Sequence, residues 1–190
     1  ELGVNGFELI YSNPNSPASV ISKRLQQWGK TNLTDKVLDI PFNYAVESFF
    51  QINIPVYEQA IVDIKKWVVS GSPVVDLYSG VGTIGLTIGA SDDTLVEVNE
   101  SAVTEMQGNI KSLGLEKTAR AVLAPSEKVL DMINGDSTIV VDPPRAGMHD
   151  NVVDRLIEVS PKRIIYLSCN PVTQARDVAK LLDKYQIIYH

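Results

Sequence analysis

The sequence contains one cysteine among its 190 residues, and this scarcity excludes several classes of protein. A single thiol cannot form an intrachain disulfide framework, an all-cysteine cluster or a zinc knuckle within this chain. Long apolar runs are also lacking, since no stretch of about 18 apolar residues occurs. The first residues do not have the basic-then-apolar order of a signal peptide. We therefore expect a cytoplasmic protein with no membrane span and no metal site in this chain.

Positive charge is scarce as well. The chain has 17 Lys and Arg against 23 Asp and Glu, which gives a formal net charge of −6. Because nonspecific affinity for nucleic acid comes from clustered Lys and Arg, this chain alone is not expected to bind a phosphate backbone tightly. Charge by itself favours an enzyme that acts on a small molecule. With 44% hydrophobic residues, the chain can bury one sizeable core.

Two patterns divide the chain. Residues 1–54 contain short apolar runs separated by turn-rich stretches such as NPNSP, which begins at Asn13, and this pattern is typical of a small β-rich segment. From Pro55 onwards apolar residues fall at helical spacing and predict an amphipathic helix. We interpret residues 1–54 as the remnant of a central, substrate-side domain and residues 55–190 as the main catalytic domain.

Short apolar runs then alternate with helical patterns, which predicts an α/β fold with a parallel sheet and helices on both faces. The predicted strands lie at 74–77, 94–98, 120–123, 138–141, 163–168 and 186–189. The predicted helices between them lie at 84–88, 101–113, 129–133, 151–159 and 171–184.

A glycine-rich loop follows the first of these strands. The segment VVDLYSGVGTIGLTIGA, from Val74, spaces Gly80 and Gly82 as in a nucleotide-binding loop, although an ordinary strand-to-helix turn can look the same. Asp76 precedes Gly80 by four residues, where a carboxylate can face the positively charged methionine portion of S-adenosylmethionine. Glu97 closes the next strand, where a carboxylate can accept both ribose hydroxyls of that cofactor or of NAD.

The second half of the candidate site follows two later strands. The segment DPPRAG begins at Asp142, and two prolines leave its backbone little freedom. Cys169 follows the strand RIIYLS and precedes Pro171, which suits the first turn of a helix. A thiol at a helix N-terminus is stabilised as thiolate by the backbone amides, although an isolated cysteine is more often a small buried hydrophobe. Both segments should reach the carboxyl edge of the sheet, where ligands bind.

Five segments together resemble the S-adenosylmethionine-dependent RNA 5-methyluridine methyltransferases, which modify tRNA or large-subunit ribosomal RNA. In chain order these are SFFQINIPVYEQA from Ser48, DLYSGVGTIGL from Asp76, EVNESAV from Glu97, DPPRAG from Asp142 and LSCNPVTQARD from Leu167. They span nearly the whole chain. The combination of SCNP, DPPR and FFQ is far more specific than the glycine loop.

The resemblance implies a Rossmann-like class I methyltransferase fold and a role for each matching residue. Cys169 is the expected nucleophile, and Asp142 is expected to hydrogen-bond the uracil edge. Phe50, Gln51 and Arg145 are expected on the substrate side, with Arg145 ordering the loop around Asp142. The residues expected to contact S-adenosylmethionine are Gln51, Asp76, Tyr78, Gly80, Gly82, Glu97 and Asp142.

The resemblance also implies parts that this sequence does not match. In the family the general base is a glutamate some tens of residues beyond the cysteine, and the sequence printed here ends at His190, before that position. The last antiparallel strand and the amino-terminal RNA-binding barrel are likewise unmatched. Pro125 falls where an acid or amide usually contacts adenine, which leaves Ser126 or the backbone as substitutes. We therefore expect a catalytic-domain fragment with impaired turnover.

Three other functions remain open. An NAD-dependent oxidoreductase fits the glycine loop, but Asp76 in the strand before the glycines is unusual for one. A noncatalytic RNA-binding module conflicts with the acidic charge. A methyltransferase acting on base amino groups would place an aromatic residue after the two prolines, where this chain has Arg145.

Overall fold

A computed structural model describes residues 4–15, 21–89 and 91–190 of the chain. The last part of the NPNSP stretch, residues 16 and 17, lies outside the described residues. No helix among the described residues is long and apolar enough to cross a membrane.

The described chain forms nine strands and five helices. The elements are β1 Gly6–Tyr11, β2 Lys23–Gly29, β3 Leu33–Val37, β4 Ile40–Tyr44, α1 Ile54–Trp67, β5 Val74–Leu77, α2 Thr83–Ile88, β6 Asp93–Glu97, α3 Glu100–Ser112, β7 Ala119–Leu123, β8 Thr138–Val141, α4 Asp150–Val159, β9 Arg163–Tyr166 and α5 Pro171–Leu181. Two antiparallel hairpins, β1-β2 and β3-β4, come first, and a five-stranded parallel sheet of order β7-β6-β5-β8-β9 follows.

The central strands are short and apolar because both of their faces are covered. Val74 and Val140 face the cluster built by α1, α2 and α3. Val75 and Ile139, one residue along, face the cluster built by α4 and α5. This alternation confirms the predicted α/β fold with helices on both faces of a parallel sheet.

The amino-terminal segment is β-rich, as predicted, and its second hairpin packs on the main core. Val37 and Phe42 are fully buried in the same cluster as α1, α2 and α3. The buried side chain of Asn109 in α3 accepts a hydrogen bond from the Asn43 amide at 2.8 Å and donates to the Asn43 and Val81 carbonyls at 3.0 and 3.1 Å. The hairpin and the glycine loop are thereby fixed to the same helix. The division at residue 54 stays a prediction.

Two predicted elements are wrong. Residues 186–189 form no strand, because in the described structure they do not pair with the edge strand β9. The ring of Tyr189 lies instead against Trp67 of α1, with 5.5 Å between ring centroids, and its hydroxyl contacts Asp63. Residues 129–133 form no α-helix; two 3-10 turns, Ser126–Lys128 and Leu130–Met132, occupy this stretch. Pro125 extends the backbone before the first turn and Val129 interrupts the pair, so the apolar residues never complete a helical repeat.

Candidate active site

Four predicted residues gather at the carboxyl edge of the parallel sheet. Asp76 lies in β5 and Glu97 ends β6, while Asp142 follows β8 and Cys169 comes three residues after β9. In the strand order β6-β5-β8-β9, these residues occupy four neighbouring positions. Ligands of open α/β sheets bind at this edge, so the fold supports one site built from all four.

Asp76 is a buried carboxylate with one unused oxygen. Its side chain is 1% exposed, and its Oδ2 accepts a hydrogen bond from the Gly85 amide at 2.9 Å. Its Oδ1 has no hydrogen-bond partner among the described residues. Burial and, to a smaller extent, the negative charges of Asp142, Asp93 and Glu97 raise the pKa of Asp76 to about 8, against the lowering effect of the Gly85 hydrogen bond. A buried carboxylate in this condition is costly unless a proton or a cationic ligand group compensates it.

The glycine loop uses its glycines for different physical reasons. Gly80 has φ +57°, and a Cβ there would meet no atom within 4 Å, so the loop is open at this point. Gly82 has φ +88°, and a Cβ there would lie 3.0 Å from side-chain atoms of Leu86 and Met106. Gly80 therefore leaves space for a ligand, whereas Gly82 permits close packing.

Tyr78 is a non-glycine residue in left-handed backbone conformation, with φ +64°. Such a residue is strained by about 1–3 kcal/mol and is often found at functional sites. Its hydroxyl accepts a long hydrogen bond of 3.4 Å from the His149 amide, and burial raises its pKa. Tyr78 thus bridges the glycine loop and the start of α4 on the Asp142 side of β5.

Glu97 holds the glycine loop in place. Its Oε2 accepts a hydrogen bond from the Gly80 amide, and its Oε1 accepts from the Val98 and Asn99 amides, each at 2.9 Å. A carboxylate has about four acceptor positions, so these bonds leave room for about one more, on Oε2. The predicted contact with both ribose hydroxyls stays a prediction, and the present geometry favours a single ligand hydroxyl on Oε2.

Phe50 and Gln51 lie in the segment between β4 and α1. The Phe50 ring stacks on Tyr44, with 4.3 Å between centroids and an interplanar angle of 8°. Gln51 is half-buried, and its side chain makes no hydrogen bond within the described residues. Gln51 therefore retains both its amide donor and its carbonyl acceptor for a ligand, as its predicted role requires.

Sequence reasoning missed a buried pair of hydroxyls beside the acids. Tyr57 of α1 is 7% exposed, and its hydroxyl lies 2.6 Å from Thr83 Oγ1 at the start of α2. Burial raises the Tyr57 pKa, as do the charges of Asp76 and Asp142. A tyrosine among the apolar residues of an amphipathic helix looks like packing in the sequence, and only the fold brings Tyr57 to the site.

Asp142 lies half-buried at the start of the DPPR loop. Its carboxylate has no hydrogen-bond partner among the described residues, and burial raises its pKa to about 6. The Arg145 guanidinium makes no ion pair with it in the described structure. Instead the Arg145 carbonyl accepts hydrogen bonds from Asn170 Nδ2 at 2.9 Å and Thr173 Oγ1 at 3.1 Å. The backbone of residue 145 thus ties this loop to α5, and the role expected of the Arg145 side chain stays a prediction.

Cys169 is exposed at the same edge. The next residue, Asn170, caps α5 by accepting a hydrogen bond from the Val172 amide at 3.1 Å. Ser168 closes the turn, since its Oγ accepts from the Asn170 amide at 3.1 Å. The thiol therefore sits one residue before the cap of a helix, with the positive end of the helix dipole beside it. Because Asn170 also holds the Arg145 carbonyl, the cysteine turn and the DPPR loop adjoin.

Several known RNA methyltransferases are similar to this chain. Residues 117–189 match the family model described as tRNA (uracil-5-)-methyltransferase. An uncharacterized RNA methyltransferase of Enterococcus faecalis is 36% identical over 162 residues, covering 82% of this chain and 35% of that protein. The chain is related to RNA (uracil-5-)-methyltransferases. The matched range contains Asp142, Arg145 and Cys169 but not Asp76 or Glu97.

Two archaeal relatives extend the comparison. The tRNA (uracil(54)-C(5))-methyltransferase of Pyrococcus horikoshii is 35% identical over 158 residues, covering 81% of this chain and 37% of that protein. The crystal structure of the Pyrococcus abyssi tRNA (uracil-54, C5)-methyltransferase in complex with S-adenosyl-L-homocysteine superimposes with a TM-score of 0.80 at 30% identity. The superimposed region covers 93% of this chain and 44% of the crystallised chain. The chain thus spans less than half the length of these relatives, and it shares the fold of a class I methyltransferase.

Proposed function

We propose that this chain binds S-adenosylmethionine and transfers its methyl group to carbon 5 of a uridine in RNA, through a covalent bond to Cys169. The observation that carries the proposal is the convergence of Asp76, Glu97, Asp142 and the exposed Cys169 on one sheet edge. The relationship to uracil methyltransferases supports the reaction class. RNA is the proposed partner, with tRNA as the first substrate to test, and the cytoplasm is the proposed location.

The residues present fit the cofactor. The unused Oδ1 of buried Asp76 suits the ammonium group of the methionine portion, because a cation would compensate the buried charge. Glu97 Oε2 has an acceptor position for a ribose hydroxyl, and the open space at Gly80 admits a ligand close to the backbone. Gln51, Tyr78, Gly82 and Asp142 complete the proposed cofactor contacts. S-adenosylmethionine bound there would supply an electrophilic methyl group.

Cys169 is proposed to make carbon 5 reactive. Carbon 5 of uracil is a poor nucleophile, but addition of the Cys169 thiolate to carbon 6 moves the pair of the 5,6 double bond towards carbon 5 and the neighbouring carbonyl. After carbon 5 is methylated, a base removes the carbon 5 proton, the carbon 6–sulfur bond breaks and the double bond re-forms. The target base must leave its stack to reach this edge, with Phe50 and Gln51 beside it.

Asp142 is proposed to orient the uracil. With a pKa of about 6 its carboxylate is mostly ionised at neutral pH, so it can accept a hydrogen bond from the ring imide N–H. As an anion it cannot stabilise the developing enolate directly. A carboxylate without a protein partner, beside the nucleophile and next to Asp76, is in a suitable place to fix the ring between thiol and methyl donor.

The test is intact-mass measurement after the protein is mixed with S-adenosylmethionine and an RNA hairpin containing 5-fluorouridine, whose fluorine blocks the final elimination. We expect a methylated RNA adduct with the parent protein and none with Cys169→Ser. Binding of S-adenosylhomocysteine by both proteins is the control for an intact cofactor site. An adduct that persists in Cys169→Ser, or no adduct from a parent protein that binds both ligands, would contradict the proposal. Tight binding of NAD in place of S-adenosylhomocysteine would favour the oxidoreductase alternative.

A further inference from the structure

A second group of side chains, outside the proposed contacts, ties α5 to the DPPR loop. Asp177 is fully buried, and its Oδ2 accepts hydrogen bonds from the Met148 amide and from the Tyr166 hydroxyl, each at 2.8 Å. Its Oδ1 accepts from Arg176 Nε at 2.8 Å and Nη2 at 2.6 Å. Arg176 Nη2 also donates to the Ala146 carbonyl at 3.0 Å. We call Arg176 and Asp177 the clamp.

The clamp extends a series of contacts along one face of α5. Asn170 and Thr173 donate hydrogen bonds to the Arg145 carbonyl. The clamp bonds the Ala146 carbonyl and the Met148 amide. From Asn170 to Thr173, and from Thr173 to the clamp, the spacing is three or four positions, as on one face of a helix. Gly147 lies between the held residues with φ +85°, and a Cβ there would be 2.5 Å from Arg176 Nη2 and 2.6 Å from Asp177 Oδ2. The loop therefore fits against the clamp only because residue 147 lacks a side chain.

This geometry joins the two proposed reactive groups. Cys169 lies two residues before the first residue of α5, and Asp142 begins the loop that α5 holds. The Asp142 amide makes a long 3.5 Å bond to the Leu77 carbonyl of the sheet. The far side of the loop is held by the contacts with α5, by the burial of Met148 and by the bond from the His149 amide to Tyr78. Pro143 and Pro144 transmit that constraint because they leave the intervening backbone little freedom.

We propose that Arg176 and Asp177 are positioning residues that fix the Cys169 thiol relative to the Asp142 carboxylate. The inference rests on the proposed function, because the distance between these two groups matters only if both act on one uracil ring. The clamp touches neither the glycine loop nor Glu97. Among the proposed cofactor contacts, the loop that the clamp holds carries only Asp142. Loss of the clamp should therefore slow the covalent step much more than it weakens cofactor binding.

The test uses three variants. Arg176→Lys keeps the positive charge but loses the planar fork that bonds Asp177 and the Ala146 carbonyl, and its half-exposed position favours a folded product. Asp177→Asn removes the charge of the buried acceptor. Lys180→Met is the matched control, because it removes an exposed ion pair with Asp150 from the same helix without touching the loop.

Three quantities are measured: the rate of adduct formation with the 5-fluorouridine hairpin at saturating S-adenosylmethionine, the dissociation constant of S-adenosylhomocysteine, and amide hydrogen exchange of residues 145–148. For Arg176→Lys we expect an adduct rate lower by about 10–100-fold, because misplacement by about 1 Å has effects of that size. We also expect exchange at least about tenfold faster, and cofactor affinity within about threefold of the parent, since only the local opening of the loop changes. Asp177→Asn should also slow adduct formation and speed up exchange, with cofactor affinity close to the parent's. Lys180→Met should match the parent in all three quantities.

An adduct rate equal to the parent's in Arg176→Lys, or an equal loss of rate and cofactor affinity in both clamp variants, would overturn the inference. Failure of the proposed function appears differently, as no adduct from the parent protein itself. In that case hydrogen exchange decides on the clamp: unchanged exchange in Arg176→Lys refutes it, and faster exchange supports its hold on the loop.

Discussion

Asp76 and Asp177 are both fully buried acids near the same edge of the sheet, yet their surroundings differ. Asp177 accepts four hydrogen bonds, from the Met148 amide, the Tyr166 hydroxyl, and Nε and Nη2 of Arg176. Asp76 accepts one, from Gly85, and its pKa is raised to about 8. A buried carboxylate with every acceptor position used stabilises the fold. A buried carboxylate with an unused oxygen lowers the stability of the folded state, and that oxygen gains a hydrogen-bond partner only when a ligand binds.

The largest expected effect concerns the satisfied acid. Asp177→Ala leaves the Met148 amide, the Tyr166 hydroxyl and the Arg176 guanidinium without their acceptor, and we expect the free energy of unfolding to fall by about 3–5 kcal/mol. Urea denaturation at pH 7 measures it. Asp150→Ala, which removes an exposed acid of α4, should cost less than about 1 kcal/mol. A loss of similar size in both variants would show that the clamp adds nothing to stability.

Gly147→Ala should come next. Its Cβ would approach Arg176 Nη2 and Asp177 Oδ2 to 2.5 and 2.6 Å, at φ +85°. We expect about 2–4 kcal/mol of destabilisation from the combined strain and displacement. Gly114→Ala is the matched control, because Gly114 has φ +69° but nothing within 4 Å of its Cβ. Its cost should be confined to the backbone, about 1–2 kcal/mol. Equal losses for the two glycines would mean that the loop can move away from the clamp.

The unsatisfied acid predicts a pH dependence of the opposite sign to that of an ordinary salt-bridged carboxylate. The folded-state pKa of about 8 lies above the unfolded value near 3.8, so the folded state binds the proton more tightly. Stability from this group is greatest at low pH and is lost as pH rises from about 4 to about 8. Asp76→Asn, which resembles the protonated acid, should therefore be more stable than the parent at pH 8 by about 1–2 kcal/mol.

Thermal unfolding of parent and Asp76→Asn without ligand, between pH 5 and pH 8, measures this difference. The gap between the two melting temperatures should widen as pH rises. A constant gap would indicate that Asp76 does not titrate in this range in the folded protein.

The smallest expected effect is at Tyr57. Tyr57→Phe removes one member of the 2.6 Å hydroxyl pair, and we expect about 1 kcal/mol of destabilisation from the lost hydrogen bond. A double-mutant cycle with Thr83→Val isolates the pair, and the coupling free energy should be at least about 0.5 kcal/mol. Additive effects of the two substitutions would show that the hydroxyls do not interact in solution.

Much of this fold is readable from local pattern. The strands at Val74–Leu77 and Thr138–Val141 are predicted with their bounds because buried parallel strands are continuous apolar runs. Residues 186–189 are also mostly apolar but form no strand: Ile187 and Ile188 are exposed, and only the Tyr189 ring lies against Trp67. A short apolar run therefore does not by itself specify a strand or its burial. Helix α5 begins at Pro171 as predicted but ends at Leu181, before the predicted 184.

The site residues also fall into those that local sequence pattern predicts and those that it does not. Asp76, Glu97, Asp142 and Cys169 are predictable because each stands at the end of a strand or in a motif with a mechanism. Asp177 is not, because its partner Met148 lies 29 residues away and nothing local distinguishes it from a solvated helix acid. Glu97 shows a third case: its place was predicted, but only the structure shows how many of its acceptor positions the glycine loop already uses.

Calorimetric titration of S-adenosylhomocysteine into the parent, Asp76→Asn and Asp177→Asn tests most directly whether the two buried acids have different roles. We predict that Asp76→Asn weakens binding by about 10–100-fold while the protein remains at least as stable as the parent, because a charge-assisted hydrogen bond is lost only in the complex. Asp177→Asn should bind within about threefold of the parent but unfold more easily, because its bonds are all within the protein. Unchanged affinity in Asp76→Asn, or an equal loss of affinity in both variants, would contradict the assignment of Asp76 to the ligand and Asp177 to the fold.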